Sequence, residues 1–323
     1  MTNTAIVGRR GRRRKALASA GCAVLALFLA VCVAIPVDYF VLNSRINRMD
    51  FPLSDGPGET WVIIGSDSRD DLPDGRNVYG TTADTPGQRA DVILVVHKQA
   101  GKTSVLSLPR DLVTYNADTH GLERLALSWH NGPAEFGSSL CDSLGVNVSH
   151  LVVVSMAGFA SIVDAVGGVE VTTQHPVIDL KAGLALPHAG RQLLDGETAL
   201  ALVRSRHPVQ KINGTWRESS INAGASDRTE WAGRIFAATM RKAKSQIVNP
   251  LATQRLALAV TDHITTDRDT SLADLIRAWP DSATVVDVPA QSTSGVLPVQ
   301  INQETVETLE TAGFKRGQCQ RNR

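Results

Sequence analysis

Two arginines and two aspartates flank a pair of apolar segments near residue 100. The segments 91–97 (DVILVVH) and 103–108 (TSVLSL) are rich in β-branched residues, and a polar turn with Gly101 separates them. This pattern predicts a β-hairpin, which brings the start of its first strand beside the end of its second. The charges that meet at that sheet edge are Arg89, Asp91, Arg110 and Asp111. They indicate a site for a charged ligand, unless they only keep the strand ends soluble.

The predicted strands are apolar on both faces. Neither segment of the hairpin alternates apolar and polar residues, which is typical of strands that are covered on both sides. A third apolar segment, 61–65 (WVIIG), leads to Asp67, the first charged residue after it. Because α/β sheets place their ligand sites at the ends of covered strands, we expect Asp67 to join the charges of the hairpin. Helices and strands alternate in the rest of the chain, which indicates an α/β fold.

A second pair of arginines, Arg204 and Arg206, follows a predicted helix that Asp195 would cap. Two arginines two positions apart diverge on a helix but point the same way on extended chain. If the helix ends here, the pair forms a two-guanidinium clamp of the kind that suits phosphate. The alternative is that both cations only complement the dipole of the helix, which explains one arginine better than two.

The N-terminal segment predicts a membrane anchor. Six basic residues lie in 1–15, and no residue from 16 to about 36 is charged. We expect a cytoplasmic basic tail over 1–15, a transmembrane signal anchor over 16–42, a linker over 43–60 and an extracytoplasmic domain over 61–323. A cleaved signal peptide is the alternative, but the apolar segment is long for one.

The charge balance argues against nucleic acid as a partner. Removing the six N-terminal cations from the 33 basic residues leaves 27 against 32 acidic ones, a net charge of about −5 for the remainder. Nucleic-acid binding requires a basic field over the domain. Basic clusters in the domain are therefore local features.

Two cysteines lie in the part of the chain that we expect outside the cell, Cys141 and Cys319. The cysteines show no spacing typical of a metal site. Because an extracytoplasmic location permits disulfides, we predict a bond between these two, which would also fix the C-terminal tail.

Five sequence blocks together resemble the LytR-CpsA-Psr family in order and spacing. They are GSDSR at 65–69, RADVILVVH at 89–97, SLPRD at 107–111, VDAVGGVEV at 163–171 and LLDGETALALVRSR at 193–206. The resemblance implies a single domain with a central mixed β-sheet flanked by helices and an apolar pocket for a prenyl chain. It also implies a membrane-anchored phosphotransferase that moves a glycopolymer from a polyprenyl-pyrophosphate carrier to peptidoglycan, with Mg²⁺ or Mn²⁺ and a pyrophosphatase side activity.

The resemblance also assigns roles to individual residues. Asp67 and Asp91 match the magnesium-binding carboxylates of the family. The matches to its pyrophosphate-binding arginines are Arg89, Arg110, Arg204 and Arg206. These six residues are the expected catalytic set. Apart from Asp111, the charges that the hairpin and the clamp predict from the residues alone all belong to it.

Two further positions match the family only in part. Arg228 matches the first arginine of an Arg-x-x-Arg-Gln block, but Trp231 and Ala232 replace the second arginine and the glutamine. Arg124 matches the cation of a (Lys/Arg)-Leu-Asn block, with Ala126 in place of the asparagine. We expect Arg124 and Arg228 to contribute to pyrophosphate binding. Because of Trp231 and Ala232, a non-catalytic protein that binds polyprenyl-linked glycans or assists assembly is the alternative function. The resemblance also implies a third function, a membrane-tethered transcriptional regulator, against which the acidic domain expected outside the cell argues.

The expected chemistry is consistent with the residues present. Displacing a prenyl phosphate requires positive charge around the phosphoryl oxygens, which arginines and a metal ion supply. The sequence contains no GxSxG motif, no Cys/His pair and no Walker loop, so we expect direct attack by a sugar hydroxyl rather than a covalent intermediate. Asp67 or Asp91 is the candidate base for that hydroxyl.

Overall fold

The structure, a computed structural model, describes residues 32–68, 87–116, 118–218, 221–246, 248–278, 284–292 and 298–322, with the backbone alone for 221–230. The described chain divides into two units, Met1–Arg45 and Ile46–Arg323. The described part of the first unit is helix α1, residues 32–45. Within the described ranges no helix combines the length and apolarity needed to cross a bilayer. The predicted basic tail and most of the predicted anchor over 16–42 lie outside the described residues.

The second unit contains short strands and helices in alternation. Its strands are β1 Asn47–Met49, β2 Ser54–Asp55, β3 Glu59–Ser66, β4 Ala90–Gln99, β5 Lys102–Leu108, β6 Val113–Asn116, β7 Gly121–Arg124, β8 His150–Val154, β9 Val169–Thr173, β10 Val177–Asp179, β11 Leu184–Leu186, β12 Gly190–Leu194, β13 Val209–Ile212, β14 Thr215–Glu218, β15 Ile264–Asp267, β16 Val285–Asp287 and β17 Gln320–Arg321. Its helices are α2 Leu125–Asn131, α3 Pro133–Ser138, α4 Met156–Ala165, α5 Gly196–Arg204, α6 Ile221–Gln246, α7 Pro250–His263, α8 Leu272–Ala278 and α9 Gln303–Ala312, with a π-helical turn at Ser139–Ser143.

In the described chain, seven strands form a central mixed sheet in the order β1-β15-β8-β3-β4-β5-β16. Strand β4 is antiparallel to both β3 and β5, whereas β8 runs parallel to β3 and β16 runs parallel to β5. Smaller sheets, one of them with the order β11-β10-β13-β14, lie outside it. The central mixed sheet confirms the fold class expected from the sequence.

The predicted hairpin consists of β4 and β5, joined by a turn at Ala100 and Gly101. Both turn residues have positive φ angles, 50° and 76°. This geometry matches the right-handed twist of the strands, and a glycine adopts it at little cost. Ile93 pairs with Leu108 at the far end of the hairpin. The start of β4 therefore lies beside the end of β5, as the sequence pattern predicts.

The prediction of a linker over 43–60 is wrong, because residues 43–45 belong to helix α1 and residues 46–60 belong to the second unit. Strand β1 adds to the central sheet by parallel pairing with β15, and β2 pairs with the C-terminal strand β17. Phe51 lies between these strands and is buried in the main apolar cluster. The proline and glycine content of this segment suggested a tether. Its apolar side chains instead cover the core, so the folded unit starts at Ile46.

Two apolar clusters stabilise the second unit. The larger one packs inward-facing residues of β3, β4 and β5 against Trp129, Phe136 and Leu140 from α2, α3 and the π-helical turn. The smaller one joins β9 and β12 to α5 and α6, with Ile235 fully buried in it. Burying apolar area of this kind is the main driving force for folding. These clusters hold the strands whose ends carry the predicted site.

Cys141 and Cys319 form the disulfide predicted from the sequence, with their Cα atoms 5.5 Å apart. The bond joins the π-helical turn to the residue before β17. Arg321, in β17, makes ion pairs with Asp118 and Asp142. The C-terminal tail is therefore fixed by a covalent bond, strand pairing and ion pairs.

We predict that Cys319→Ser lowers the free energy of unfolding by about 2–5 kcal/mol, because the disulfide closes a loop with a sequence separation of 178 residues. Denaturant unfolding of the full chain measures this change. Cys32→Ser is the matched control, since Cys32 is an exposed free thiol. Equal unfolding midpoints for the two variants would contradict the prediction.

Candidate active site

The register of β3 with β4 shifts at the end that carries the predicted site. Gly65 pairs with Val92. The next residue of β3, Ser66, pairs with Ala90. Asp91 therefore has no partner residue on β3, which is the arrangement of a β-bulge. A bulge turns a side chain out of the regular alternation of its strand, and here that side chain is a carboxylate.

Two arginines from distant parts of the sequence contact the Asp91 carboxylate. Arg110, two residues beyond the end of β5, donates a hydrogen bond from Nη1 to Oδ1 of Asp91. Nη2 of Arg206 lies 3.6 Å from Oδ2 of the same carboxylate. The structure thus brings a predicted metal ligand together with two predicted phosphate-binding cations.

Asp111 connects one further cation, Arg124, to this group. Its side chain is buried, and it accepts a hydrogen bond of 3.2 Å from Nε of Arg110 and one of 3.3 Å from Nη1 of Arg124. Burial by itself lowers the pKa of Arg110, but Asp91 and Asp111 outweigh burial and raise this pKa above its ordinary value. Arg110 therefore stays charged between two carboxylates.

Asp67 and Arg89 bond each other at the same sheet edge, where Asp67 follows the end of β3 and Arg89 precedes the start of β4. The backbone N–H of Asp67 donates to the carbonyl of Arg89 at 3.0 Å, and the N–H of Arg89 donates to Oδ1 of Asp67. Nη1 of Arg89 lies 3.6 Å from Oδ2 of Asp67. We name the whole group the charged rim. It consists of Asp67, Arg89, Asp91, Arg110, Asp111, Arg124 and Arg206.

Helix α5 ends where the predicted clamp requires. The side chain of Asp195 accepts a hydrogen bond from the N–H of Thr198 and caps the start of the helix. The helix ends at Arg204, because Ser205 has extended backbone angles of −60° and 118°. Arg204 is half-buried at the last helical position, and Arg206 follows on extended chain and reaches the charged rim.

Helix α6 carries two of the positions at which the chain departs from the family pattern, Trp231 and Ala232, whereas the third, Ala126, lies in α2. The backbone at Arg228 is helical, and its side chain lies outside the described residues. Ala232 is buried, and Trp231 packs against the smaller apolar cluster. The guanidinium carbon of Arg234 lies 5.2 Å from the centre of the Trp231 ring. The two replaced positions therefore serve packing, and a cation stacks on the indole.

One residue that orders this site was missed by the sequence analysis. Asp179, in β10, is 3% exposed and accepts hydrogen bonds from the backbone N–H groups of Arg206 and His207. A signal was present, because an aspartate inside the apolar segment 177–180 must satisfy its carboxylate if it is buried. The sequence alone does not show where its partners lie.

Asp67 and Asp91 are carboxylates of the type that would hold a magnesium ion together with a substrate. Among the described residues, no group of three or more His, Cys, Asp or Glu side chains is arranged to hold a metal ion unaided. Mg²⁺ typically binds one or two carboxylates, waters and substrate phosphates rather than a complete protein cage. Asp67 and Asp91, adjacent to arginines that suit phosphate, provide hard oxygen ligands of this kind.

The fold and the site define a class of protein, an α/β domain whose central strands end beside arginine–carboxylate pairs. The model of the LytR_cpsA_psr family matches residues 44–308. The chain belongs to this family, as the five sequence blocks predict.

Individual relatives agree with this assignment. The probable cell wall biosynthesis protein LcpB of Corynebacterium glutamicum is 35% identical over 62% of this chain and 51% of its own length. The transferase TagT of Bacillus subtilis, named for transferring teichoic acid to peptidoglycan, is 25% identical over 49% of this chain and 50% of its own. The chain thus spans about half the length of these curated relatives. A solved LytR-Csp2A-Psr enzyme from Actinomyces oris is 33% identical, covers 86% of this chain and 99% of its own, and superimposes with a TM-score of 0.74.

We predict that Arg110→Met destabilises the protein by about 2 kcal/mol, because it leaves Asp91 and buried Asp111 without their shared cation. Arg124→Met should have a smaller effect, since the Arg124 side chain is 43% exposed. Urea unfolding of both variants measures the difference. An equal or larger loss for Arg124→Met would show that Asp111 does not depend on Arg110.

Proposed function

We propose that this protein is a phosphotransferase that moves a glycopolymer from a polyprenyl-pyrophosphate carrier to peptidoglycan. The observation that carries the proposal is the Asp91 carboxylate at a β-bulge, in contact with Arg110 and Arg206. Carboxylates paired with several arginines suit a pyrophosphate that is bound with a divalent ion. TagT, a relative of this chain, is named as a transferase of polyisoprenyl-linked teichoic acid to peptidoglycan.

In the proposed reaction, a sugar hydroxyl of peptidoglycan attacks the phosphorus that carries the glycopolymer. A new P–O bond forms, and the P–O bond to the prenyl phosphate breaks. Arg89, Arg110 and Arg206 neutralise the charge that builds up on the phosphoryl and leaving-group oxygens. Arg204, Arg124 and Arg228 complete the pyrophosphate-binding set that we propose. Asp67 or Asp91 accepts the proton of the attacking hydroxyl.

Mg²⁺, for which Mn²⁺ could substitute, is the proposed cofactor. Asp67 and Asp91 would hold it, and when bound it would draw negative charge from the phosphoryl oxygens. In the structure these carboxylates contact arginines. On binding, the metal ion would replace the arginines as the partner of the carboxylates, and the phosphate would replace the carboxylates as the partner of the arginines. Hydrolysis of the pyrophosphate by water is the side reaction that the same arrangement permits.

We also propose that the protein is a single-pass membrane protein with its N-terminus inside and its site outside. The basic residues before residue 16 and the uncharged segment that follows support this orientation. An anchored enzyme and a prenyl-linked substrate would then diffuse in the same plane. A reporter fused after Arg323 should be active only outside the membrane, and activity in the cytoplasm would contradict the orientation and favour a regulator.

The test of function uses the full chain in detergent, a polyprenyl-pyrophosphate-linked glycan, peptidoglycan fragments and Mg²⁺. We expect release of polyprenyl phosphate together with transfer of the glycan. Arg110→Lys should lower the rate about 10²–10³-fold, because a point charge does not replace a guanidinium that bonds two carboxylates and a phosphate. Arg268→Lys is the matched control, since Arg268 pairs with Asp50 on the exposed surface.

The outcomes separate the two candidate functions. Equal rates for both lysine variants would show that the charged rim is only a solvated sheet edge. Binding of the glycan carrier without transfer would support the alternative, a non-catalytic binding or assembly protein. The packing roles of Trp231 and Ala232, where the family carries polar residues, are the observations that favour this alternative.

A further inference from the structure

Three consecutive residues after helix α5, Ser205 to His207, donate hydrogen bonds to one buried carboxylate, that of Asp179. Oδ2 of Asp179 accepts hydrogen bonds from the hydroxyl of Ser205 at 2.8 Å, the N–H of Arg206 at 3.0 Å and the N–H of His207 at 2.9 Å. Oδ1 accepts from the N–H groups of Lys181 and Ala182 at 3.1 and 3.2 Å. Both carboxylate oxygens thus accept hydrogen bonds from uncharged donors, one from the segment after β10 and the other from the segment after α5.

The Asp179 carboxylate is stable as an anion in this position. Burial alone raises its pKa, but the donors from His207, Ser205, Ala182 and Arg206 more than compensate and lower the pKa below its ordinary value. A buried anion with this many donors fixes the segments that supply them, because moving either segment leaves a charge unsatisfied. The link therefore ties β10 to the chain that follows α5.

The segment that Asp179 fixes is the one that carries Arg206 to the charged rim. The Arg206 side chain is 51% exposed, and Nη2 lies 3.6 Å from Oδ2 of Asp91. Holding a long, exposed side chain in one position costs rotamer entropy, and a fixed backbone at Arg206 limits the positions that its guanidinium can reach. At Arg206 the backbone N–H is bonded to Asp179, and the preceding side chain, Ser205, is bonded to the same oxygen.

We propose that Asp179 is a positioning residue for the reaction, which holds the backbone at Arg206 so that its guanidinium meets the substrate phosphate beside Asp91. Asp179 is buried, and its side chain bonds the protein's own backbone and Ser205. It acts through Arg206, and the inference rests on the proposed function for its effect on rate. The hydrogen bonds themselves are a property of the fold and can be tested separately.

A second buried aspartate provides a matched control. Asp267 is 1% exposed and accepts hydrogen bonds from Leu151, Asp269 and Thr270. Asp267 is the last residue of β15, and it bonds Leu151 near the start of β8. Leu151 pairs with Val62 of β3, whereas the charged rim lies beyond Ser66 at the other end of β3. Asp267 is therefore at the end of the central sheet opposite the charged rim. Asp267→Asn removes a buried carboxylate of the same kind from a place that holds no residue of the site.

The test is a double-mutant cycle on the full chain, with kcat/KM for glycan transfer as the readout. Asp179→Asn leaves one acceptor oxygen for donors on two sides, so some of them lose their partner whichever way the amide turns. We expect a loss of about 10²-fold in kcat/KM in the otherwise unchanged protein, the cost of a misplaced binding group. In an Arg206→Ala background the same change should cost less than about twofold, because the positioned group is already absent.

Several results would overturn the proposal. An equal loss in both backgrounds would show that Asp179 does not act through Arg206. A loss for Asp267→Asn as large as for Asp179→Asn, at matched stability, would reduce the effect to general destabilisation. Ser205→Ala, which keeps the carboxylate and removes one donor, covers the case that Asp179→Asn does not fold. We expect it to lower kcat/KM about fivefold, and no loss would count against the proposal.

Hydrogen–deuterium exchange over residues 205–208 gives a readout that does not depend on activity. We expect Asp179→Asn to speed exchange in this segment at least tenfold and Asp267→Asn to leave it unchanged. Unchanged exchange in Asp179→Asn would overturn the anchoring itself. If the full chain transfers no glycan, the proposed function fails, whereas this measurement still decides whether Asp179 holds the Arg206 backbone.

Discussion

The charge pairing at Asp91 is the interaction on which the rest of the site depends. A β-bulge leaves Asp91 without a partner on β3, and this carboxylate contacts Arg110 from the hairpin and Arg206 from the segment after α5. Arg110 is also shared with buried Asp111. Charges this close to the core are stable only if they are paired, so three distant parts of the chain must meet at one sheet end. The requirement to satisfy these charges fixes the geometry that a phosphate ligand would meet.

Under the proposed function, this arrangement would let one edge bind both an anion and a cation. In the structure, the arginines and carboxylates of the charged rim pair with one another. A pyrophosphate with a metal ion would bring both signs of charge, so each protein group would exchange one partner of opposite charge for another. Such a site would need little net charge of its own, which is consistent with the net negative charge of the chain after residue 15. Asp179 adds a second layer, because it holds the backbone from which Arg206 extends.

Sequence patterns correctly predict those parts of the site whose structure depends on residues close to one another in the sequence. The β-branched segments and Gly101 predicted the hairpin, and Asp195 predicted the start of α5. Contacts between distant segments were not predictable in this way. Nothing near Asp179 in sequence indicates that its partners lie beyond α5, and the register shift that frees Asp91 depends on the pairing of two whole strands. The composition of residues 43–60 is polar and rich in turn-forming residues and predicts a tether, whereas burial of Phe51 against the core decides the structure of this segment from residue 46 on.

The most direct test of this account is calorimetric titration of the full chain with inorganic pyrophosphate, with and without Mg²⁺. If Asp67 and Asp91 hold a metal ion beside arginines that hold the pyrophosphate, each ligand must tighten the binding of the other. We expect Mg²⁺ to increase the affinity of the unmodified chain for pyrophosphate. This increase should be about tenfold or more greater than the increase in Asp91→Asn, because the substitution should abolish the coupling between the two ligands. Equal enhancement in both proteins, or no binding of pyrophosphate to the unmodified chain, would contradict the claim that the charged rim is a metal-assisted pyrophosphate site.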